Sequence, residues 1–123
     1  MMRLVTFCLS TGLAVLPVCL WSSPFDGVYR QTANADCGLI GVDGGSLKIE
    51  GEIFYGVEMQ CFMTNPVEID GMQAMLYQME CSGRGQVWTE RMMLMEDAVD
   101  DAIYMIWDGY AFRYPRCTPP VTD

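Results

Sequence analysis

The sequence predicts an all-β domain, an antiparallel meander of about six to eight strands that closes into a small barrel. Short segments alternate apolar and polar side chains, as Leu47–Glu50 does, and this alternation is typical of half-buried strands. Turn signals separate these segments, and no stretch after residue 24 combines a helical period with capping residues. A sheet with one apolar face has to cover that face, and closure into a barrel also removes exposed edges.

The first half of the predicted domain is a series of short strands joined by turns. A turn signal and a short strand occupy residues 25–30, and residues 31–45, which are rich in Asn, Asp and Gly, are interpreted as a loop. The alternating strand at 47–50 is followed by a turn at Gly51–Glu52 and by a strand that begins at Ile53.

Two central segments each place their apolar side chains on one parity and carry a cysteine there, as strands with one buried side do. The residues of this parity are Val57, Met59, Cys61 and Met63 in the first segment and Met75, Tyr77, Met79 and Cys81 in the second. Residues 82–85 predict a hairpin connection to a long strand at 86–95. Glu90 shares the apolar parity of Trp88 and Met92 in that strand, which predicts a bulge or an edge position.

The C-terminal part of the chain predicts one further hairpin. An acidic loop at 96–101 precedes a strand at 103–107, in which the odd-numbered residues are apolar. Asp108–Gly109 is a strong hairpin signal, and residues 110–114 form the return strand. Cys117 then holds the proline-containing tail in place.

Residues 1–22 have the order of a secretory signal peptide. Arg3 precedes a short apolar stretch that Pro17 interrupts, and the small residue Ser22 follows. We expect cleavage after Ser22, which leaves a single disulfide-bonded β-domain at 23–123. The alternative is an uncleaved anchor, for which the apolar run is short.

Four cysteines remain after this cleavage: Cys37, Cys61, Cys81 and Cys117. An even number in a small exported domain predicts two disulfides, and the absence of a C-x-x-C pair argues against a metal site. Four cysteines allow three pairings, and their order favours Cys37–Cys61 with Cys81–Cys117. Because disulfides persist in oxidising compartments, we expect a periplasmic or secreted location.

The composition excludes several classes of function. The chain has no histidine, which removes Ser-His-Asp and Cys-His catalysis and His-ligated zinc or copper. Its formal net charge of −9 becomes −10 when Arg3 leaves with the signal, and an acidic surface does not suit nucleic-acid binding. No later apolar run could span a bilayer, so we expect no membrane association after signal removal.

Methionines and acids are the residues that could suggest metal binding. Clustered thioethers such as Met72 with Met75 and Met93 with Met95 suit Cu(I). Met75 and Met79 share the strand parity of Cys81, which favours core packing. Residues 96–101 form the densest acidic cluster and lack the central glycine of a calcium loop. We therefore expect no metal and no cofactor.

The remaining motifs favour a binding module over an enzyme. The sequence has no nucleophile motif and no phosphate-binding loop, and it singles out no pair of acids for glycoside hydrolysis. Tyr104, Tyr110 and Phe112 form a candidate recognition patch if they point outward, and they are core residues if they point inward.

The segment Glu80–Trp88 contains a Cys-x-Gly-x-Gly-x-x-Trp pattern and resembles small exported four-cysteine β-proteins of Gram-negative bacteria. A looser similarity is to the periplasmic and membrane-bound inhibitors of C-type lysozyme, which are exported, disulfide-bonded β-barrels. Those proteins present a Ser-Gly-x-x-Tyr motif to lysozyme. Here Ser82 and Gly83 match, and Gln86 stands at the position of the tyrosine.

Two binding functions follow as expectations. In the first, Ser82, Gly83 and Arg84 contact a cationic cell-wall-degrading enzyme together with Tyr104 and Tyr110, and Arg84 pairs with carboxylates in its cleft. In the second, the protein is a periplasmic carrier of a small apolar ligand, which requires a partly empty barrel. We expect a monomer in either case.

Overall fold

A computed structural model describes residues 23–118, so the predicted signal peptide at 1–22 lies outside the described residues. The described chain consists of β-strands joined by turns, which confirms the predicted all-β class. The strands are β1 Gly27–Arg30, β2 Asp36–Ile40, β3 Gly45–Glu50, β4 Ile53–Gly56, β5 Met59–Glu68, β6 Ala74–Gly83, β7 Gln86–Glu96, β8 Ala102–Trp107 and β9 Tyr110–Pro115. Within residues 23–118, no helix has the length and apolarity needed to cross a membrane.

The sheet is an antiparallel meander in the order β1-β3-β4-β5-β6-β7-β8-β9. The ninth strand, β2, exceeds the predicted count and lies within residues 31–45, for which the sequence predicts a loop. It pairs in parallel with the start of β3, through an irregular register. This strand has mostly exposed side chains, so it shows no apolar alternation, and only its backbone pairing defines it.

The predicted alternation places the core inside the barrel. The largest fully buried hydrophobic side chains come from β1, β3 and β5–β8, and they are Tyr29, Ile49, Cys61, Met79, Cys81, Met92, Leu94, Ile103 and Met105. The expected core role of methionine is therefore confirmed for Met79, Met92 and Met105, whereas Met72 is half exposed. Thioether side chains fill irregular gaps between strands without strain.

The barrel closes at only one end of the seam between β1 and β9. Tyr29 forms an antiparallel bridge with Arg116, and the backbone N–H of Cys117 donates to the carbonyl oxygen of Val28 at 2.7 Å. Because β1 ends at Arg30 and the chain then turns away, the first half of β9 pairs with β8 and has no ladder to β1. The result is a nearly closed barrel with an opening at one end of the seam.

The two disulfides join Cys37 to Cys117 and Cys61 to Cys81, so the expected pairing of Cys37 with Cys61 and of Cys81 with Cys117 is wrong. Cys61 and Cys81 lie directly opposite each other in the β5–β6 register, with Cα atoms 3.9 Å apart. Cross-strand register, which the order of cysteines along the chain does not reveal, decides this pairing. Two disulfides are consistent with an oxidising, exported location.

Arg116 links the start of the described chain to its end. Its Nη1 donates to the carbonyl oxygen of Asp26 at 2.5 Å, and its Nε pairs with Asp101 at 2.8 Å. Its guanidinium carbon lies 5.0 Å from the centroid of the Tyr29 ring, within the range of a cation–π contact. One side chain therefore holds together both sides of the closed part of the seam.

The predicted acidic loop lies between β7 and β8 and is stabilised by its own polar groups. The backbone N–H groups of Val99 and Asp100 donate to Oδ1 of Asp97, and Arg113 Nε donates to its Oδ2 at 2.9 Å. These hydrogen bonds favour the charged carboxylate and lower the pKa of Asp97 well below its usual range. The aspartates of this loop thus have a structural role as turn and ion-pair residues.

The carboxylate of Asp26, near the seam, destabilises the folded state when it is charged. Its Oδ1 atom is buried and has no hydrogen-bond partner among the described residues. Burial raises its pKa, the backbone N–H of Gly51 lowers it, and the nearby carboxylates of Glu50 and Glu52 raise it further. Because its pKa is raised in the folded state, its contribution to stability is fully present below the unfolded pKa and is lost as pH rises through the folded pKa.

Replacement of Asp26 by Asn is therefore expected to raise the melting temperature at pH 7, because the neutral amide carries no charge for burial to disfavour. The gain should shrink as pH falls toward about 3.9, the unfolded pKa, because the wild-type carboxyl is then neutral as well. Thermal unfolding measured across this pH range tests the prediction. Asp43→Asn, an exposed aspartate in a turn, is the matched control, and a melting temperature lowered by Asp26→Asn at pH 7 would contradict the expectation.

Candidate binding site at the open end of the barrel

Three hairpin turns lie at the same end of the barrel, because alternate turns of a meander share an end. They join β4 to β5, β6 to β7 and β8 to β9. We call this end, at which the β1–β9 seam is also unpaired, the open end. Residues of the site therefore come from segments that are far apart in the sequence.

A cleft of about 240 Å³ enters the barrel interior at the open end. Its walls are mostly apolar and aromatic, and they are formed by Gln31, Leu47, Phe54, Gly56, Val57, Met59, Glu90, Met105, Trp107, Tyr110, Phe112 and Tyr114. Leu47, Phe54 and Met105 also belong to the core, so the floor of the cleft is the core surface itself. The cleft therefore reaches the packed core from the open end.

One wall of the cleft is a row of aromatic rings on β9. The Phe112 ring centroid lies 5.7 Å from those of both Tyr110 and Tyr114, and the Phe112 and Tyr114 rings are nearly parallel. Phe112 pairs with Met105 across the ladder, so these rings are on the inward face of the sheet. Tyr110 and Phe112 nevertheless remain 56% and 43% exposed, because no strand covers that part of β9.

Glu90 is the charged residue among those that line the cleft. It lies in a regular part of the β6–β7 ladder, so the predicted bulge is absent. The predicted edge position is confirmed, because β7 pairs with β8 only from Met92 to Glu96. The Trp88 indole Nε1 donates to Glu90 Oε2 at 2.7 Å, which fixes the carboxylate at the rim of an apolar space.

The predicted hairpin at 82–85 is a tight two-residue turn at the open end. Arg84 and Gly85 both have positive φ, at 51° and 76°, as a type I′ turn requires. A Cβ atom on Gly83 would lie 2.4 Å from the carbonyl oxygen of Glu58, so only glycine allows the two turns to approach each other. Arg84 Nε also pairs with Glu58 Oε1 at 2.7 Å, and both side chains are mostly exposed.

The structure brings together some of the predicted site residues. Ser82, Gly83 and Arg84 lie at the open end with Tyr110, and Val57 and Met59 border both the cleft and a second depression next to Arg84. Tyr104 lies apart from them, because it pairs with Arg113 and alternates with the inward Met105, which places it on the outer face. The predicted patch of Tyr104, Tyr110 and Phe112 is therefore divided between two faces of the sheet.

Glu90 and Phe54 are site residues that the sequence analysis did not propose. The sequence pattern does mark Glu90, because an acid on the apolar parity of a strand indicates a charged group that faces inward. No sequence pattern marks Phe54, since a buried aromatic residue in a short strand is ordinary.

The comparisons with known proteins add no functional assignment. The chain has no match among protein-family models, curated proteins or solved structures. Among residues 23–118, no group of three or more His, Cys, Asp or Glu side chains could hold a metal ion.

Proposed function

We propose that this protein is a non-enzymatic binding module that acts in the periplasm or outside the cell, and that it uses the open end of its barrel to bind a cationic protein. The observation that carries the proposal is the exposed aromatic wall of the cleft at the same end of the barrel as the tight turn that contains Arg84. Exposed aromatic residues beside a pocket are typical anchors of protein interfaces. The signal-like segment and the disulfides support an exported location.

The size of the cleft favours a protein partner over a drug-sized ligand. Pockets for such ligands are about 300–1,000 Å³ and enclose most of the ligand. The cleft, at about 240 Å³, is smaller and open at the seam, so it suits one inserted side chain. The surrounding turns then supply the rim of the interface.

The charge of the protein favours a cationic partner. A formal net charge of −10 after signal removal increases the rate of encounter with a basic protein and repels an acidic one. The similarity to inhibitors of C-type lysozyme gives a concrete candidate, a cationic cell-wall-degrading enzyme. In that arrangement Arg84 leaves Glu58 and pairs with the catalytic carboxylates of the enzyme.

A cell-wall lysis assay with C-type lysozyme tests this arrangement through two opposed variants. Arg84→Ala is expected to weaken inhibition about tenfold, since it removes the inserted cation. Glu58→Gln is expected to strengthen inhibition several-fold, because it releases Arg84 from an exposed ion pair with a N–O distance of 2.7 Å. Arg91→Ala is the matched control, because Arg91 is an exposed arginine of β7 that forms none of the described ion pairs.

The outcomes of this assay are separable. No inhibition by micromolar wild-type protein at about 0.15 M salt would exclude lysozyme as the partner, because screening then removes non-specific attraction beyond about 8 Å. Inhibition that Arg84→Ala leaves unchanged would keep the partner and exclude the hairpin as its anchor.

A carrier of a small apolar ligand is the second candidate function. It is favoured by the continuity between the cleft and the core residues Leu47 and Met105. Met105→Ala would enlarge the cleft. In a carrier, this variant should therefore bind an apolar fluorescent probe more tightly than the wild type does. Native mass spectrometry of protein purified from its producing cells should then show a bound small molecule, and its absence would exclude this candidate.

A further inference from the structure

We infer that the cleft at the open end binds a lysine side chain of the protein partner, with Glu90 as its counter-ion and the β9 rings as its aromatic wall. This inference rests on the proposed function, since it names the chemistry of the group that the partner inserts. It is carried by three features of the cleft: an oxygen of Glu90 that has no partner among residues 23–118, exposed ring surfaces, and a second Glu90 oxygen that already accepts a hydrogen bond.

The first feature is the incomplete pairing of Glu90. Its Oε2 accepts the hydrogen bond from Trp88, whereas its Oε1 has no hydrogen-bond partner and no ion-pair partner among residues 23–118. Glu90 is half-buried beside the apolar walls of the cleft, so this oxygen is accessible to an inserted cation and attracts it by charge. The free oxygen therefore defines the position at which an inserted cation would be most stable.

The second feature is the set of rings that line the same cleft as Glu90. Tyr110, Phe112 and Trp107 all line the cleft, and Tyr110 and Phe112 expose about half of their surface. Aromatic faces attract organic cations, and an ammonium group is bound best where rings and a carboxylate act together. Val57 and Met59 add apolar surface along which the methylene groups of a lysine can pack.

The third feature distinguishes lysine from arginine. An arginine guanidinium reaches its best geometry when it donates two parallel hydrogen bonds to both oxygens of one carboxylate. At Glu90 the Trp88 indole N–H already donates to Oε2 at 2.7 Å, so a guanidinium that contacted both oxygens would have to share Oε2 with the indole. A compact ammonium group on an unbranched stem can pair with Oε1 alone, so the geometry points to lysine.

Methionine-methyl NMR on the folded, disulfide-bonded domain provides the test. Met59 and Met105 line the cleft, whereas Met72 lies outside it and is 51% exposed, so it serves as an internal reference. The probe is Nα-acetyl-lysine methylamide, with the norleucine analogue as its uncharged counterpart and the arginine analogue as the second cation. The lysine probe is expected to shift the Met59 and Met105 signals at millimolar concentration and to leave Met72 unchanged.

Two variants identify the groups that bind the probe. Glu90→Gln keeps the shape and removes the charge, and Phe112→Leu keeps the apolar volume and removes the ring. Each is expected to weaken binding of the lysine probe about tenfold. Glu80→Gln, which removes an exposed charge on the neighbouring strand β6, is the matched control and should bind the probe as the wild type does.

The outcomes separate this inference from the proposed function. Equal binding of the norleucine and lysine probes, tighter binding of the arginine probe, or unchanged binding by Glu90→Gln would overturn the lysine site. A lysine site that binds its probe while no cationic protein binds the domain would overturn the proposed function and leave the site intact. Loss of the lysine site with lysozyme inhibition retained would overturn the inference alone.

Discussion

Replacement of both Cys37 and Cys117 by alanine is expected to lower the free energy of unfolding by about 4.5 kcal/mol, as the chain-entropy model gives for a long closed loop. The two cysteines are 80 residues apart in the sequence. Their bridge ties β2 to the chain after β9, where strand pairing supplies only the Tyr29–Arg116 bridge. The disulfide therefore adds to the Arg116 contacts that hold the seam closed, and urea unfolding of the double variant measures its contribution.

The matched control is the double variant Cys61→Ala with Cys81→Ala. Its loop is 20 residues long, so the same model gives about 3 kcal/mol, and the β5–β6 ladder continues on both sides of the missing bridge. Only the seam variant should also accelerate amide exchange at position 117, whose N–H donates to the carbonyl oxygen of Val28 across the closed part of the seam. If the free energy of unfolding of the seam variant lies within about 1 kcal/mol of the wild-type value, the barrel closes without the bridge.

Phe54→Ala is expected to cost about 3–5 kcal/mol of unfolding free energy, as truncation of a buried phenylalanine usually does. The Phe54 side chain is 4% exposed, and its ring centroid lies 6.2 Å from that of Trp107. Because Phe54 forms the floor of the cleft, its removal should also enlarge the cleft and change the environment of Trp107. Denaturant unfolding followed by tryptophan fluorescence measures the loss of unfolding free energy and the change in the environment of Trp107.

Phe62→Ala is the control for this substitution. Phe62 lies one strand away, pairs with Ile53 and is 52% exposed on the outer face, so its truncation leaves no cavity. We expect a cost of no more than about 1 kcal/mol for this control. Equal costs for the two variants would show that the floor of the cleft is not part of the packed core.

Glu90 interrupts the apolar pattern of its strand, and this interruption marks a residue of the candidate site. Its apolar parity with Trp88 and Met92 was visible in the sequence and predicted a bulge or an edge. The edge is confirmed, and the absence of a bulge means that the carboxylate keeps its inward direction. For Tyr110 and Phe112, the sequence pattern predicts only part of the outcome. The two-residue turn before them sets their inward direction. Their exposure depends on the length of β1, which ends before it can cover them.

The sequence by itself determined the strands, the positions of most turns, the inward methionines and the presence of two disulfides. These features follow from alternation with a period of two and from turn residues, which act over a few neighbouring positions. Only the tertiary structure decided the disulfide pairing, the extra strand β2 and the cleft. Cross-strand register sets which cysteines meet, and the end of β1 at Arg30 leaves the first half of β9 uncovered. Both depend on contacts between segments that are distant in the chain, and local patterns do not encode such contacts.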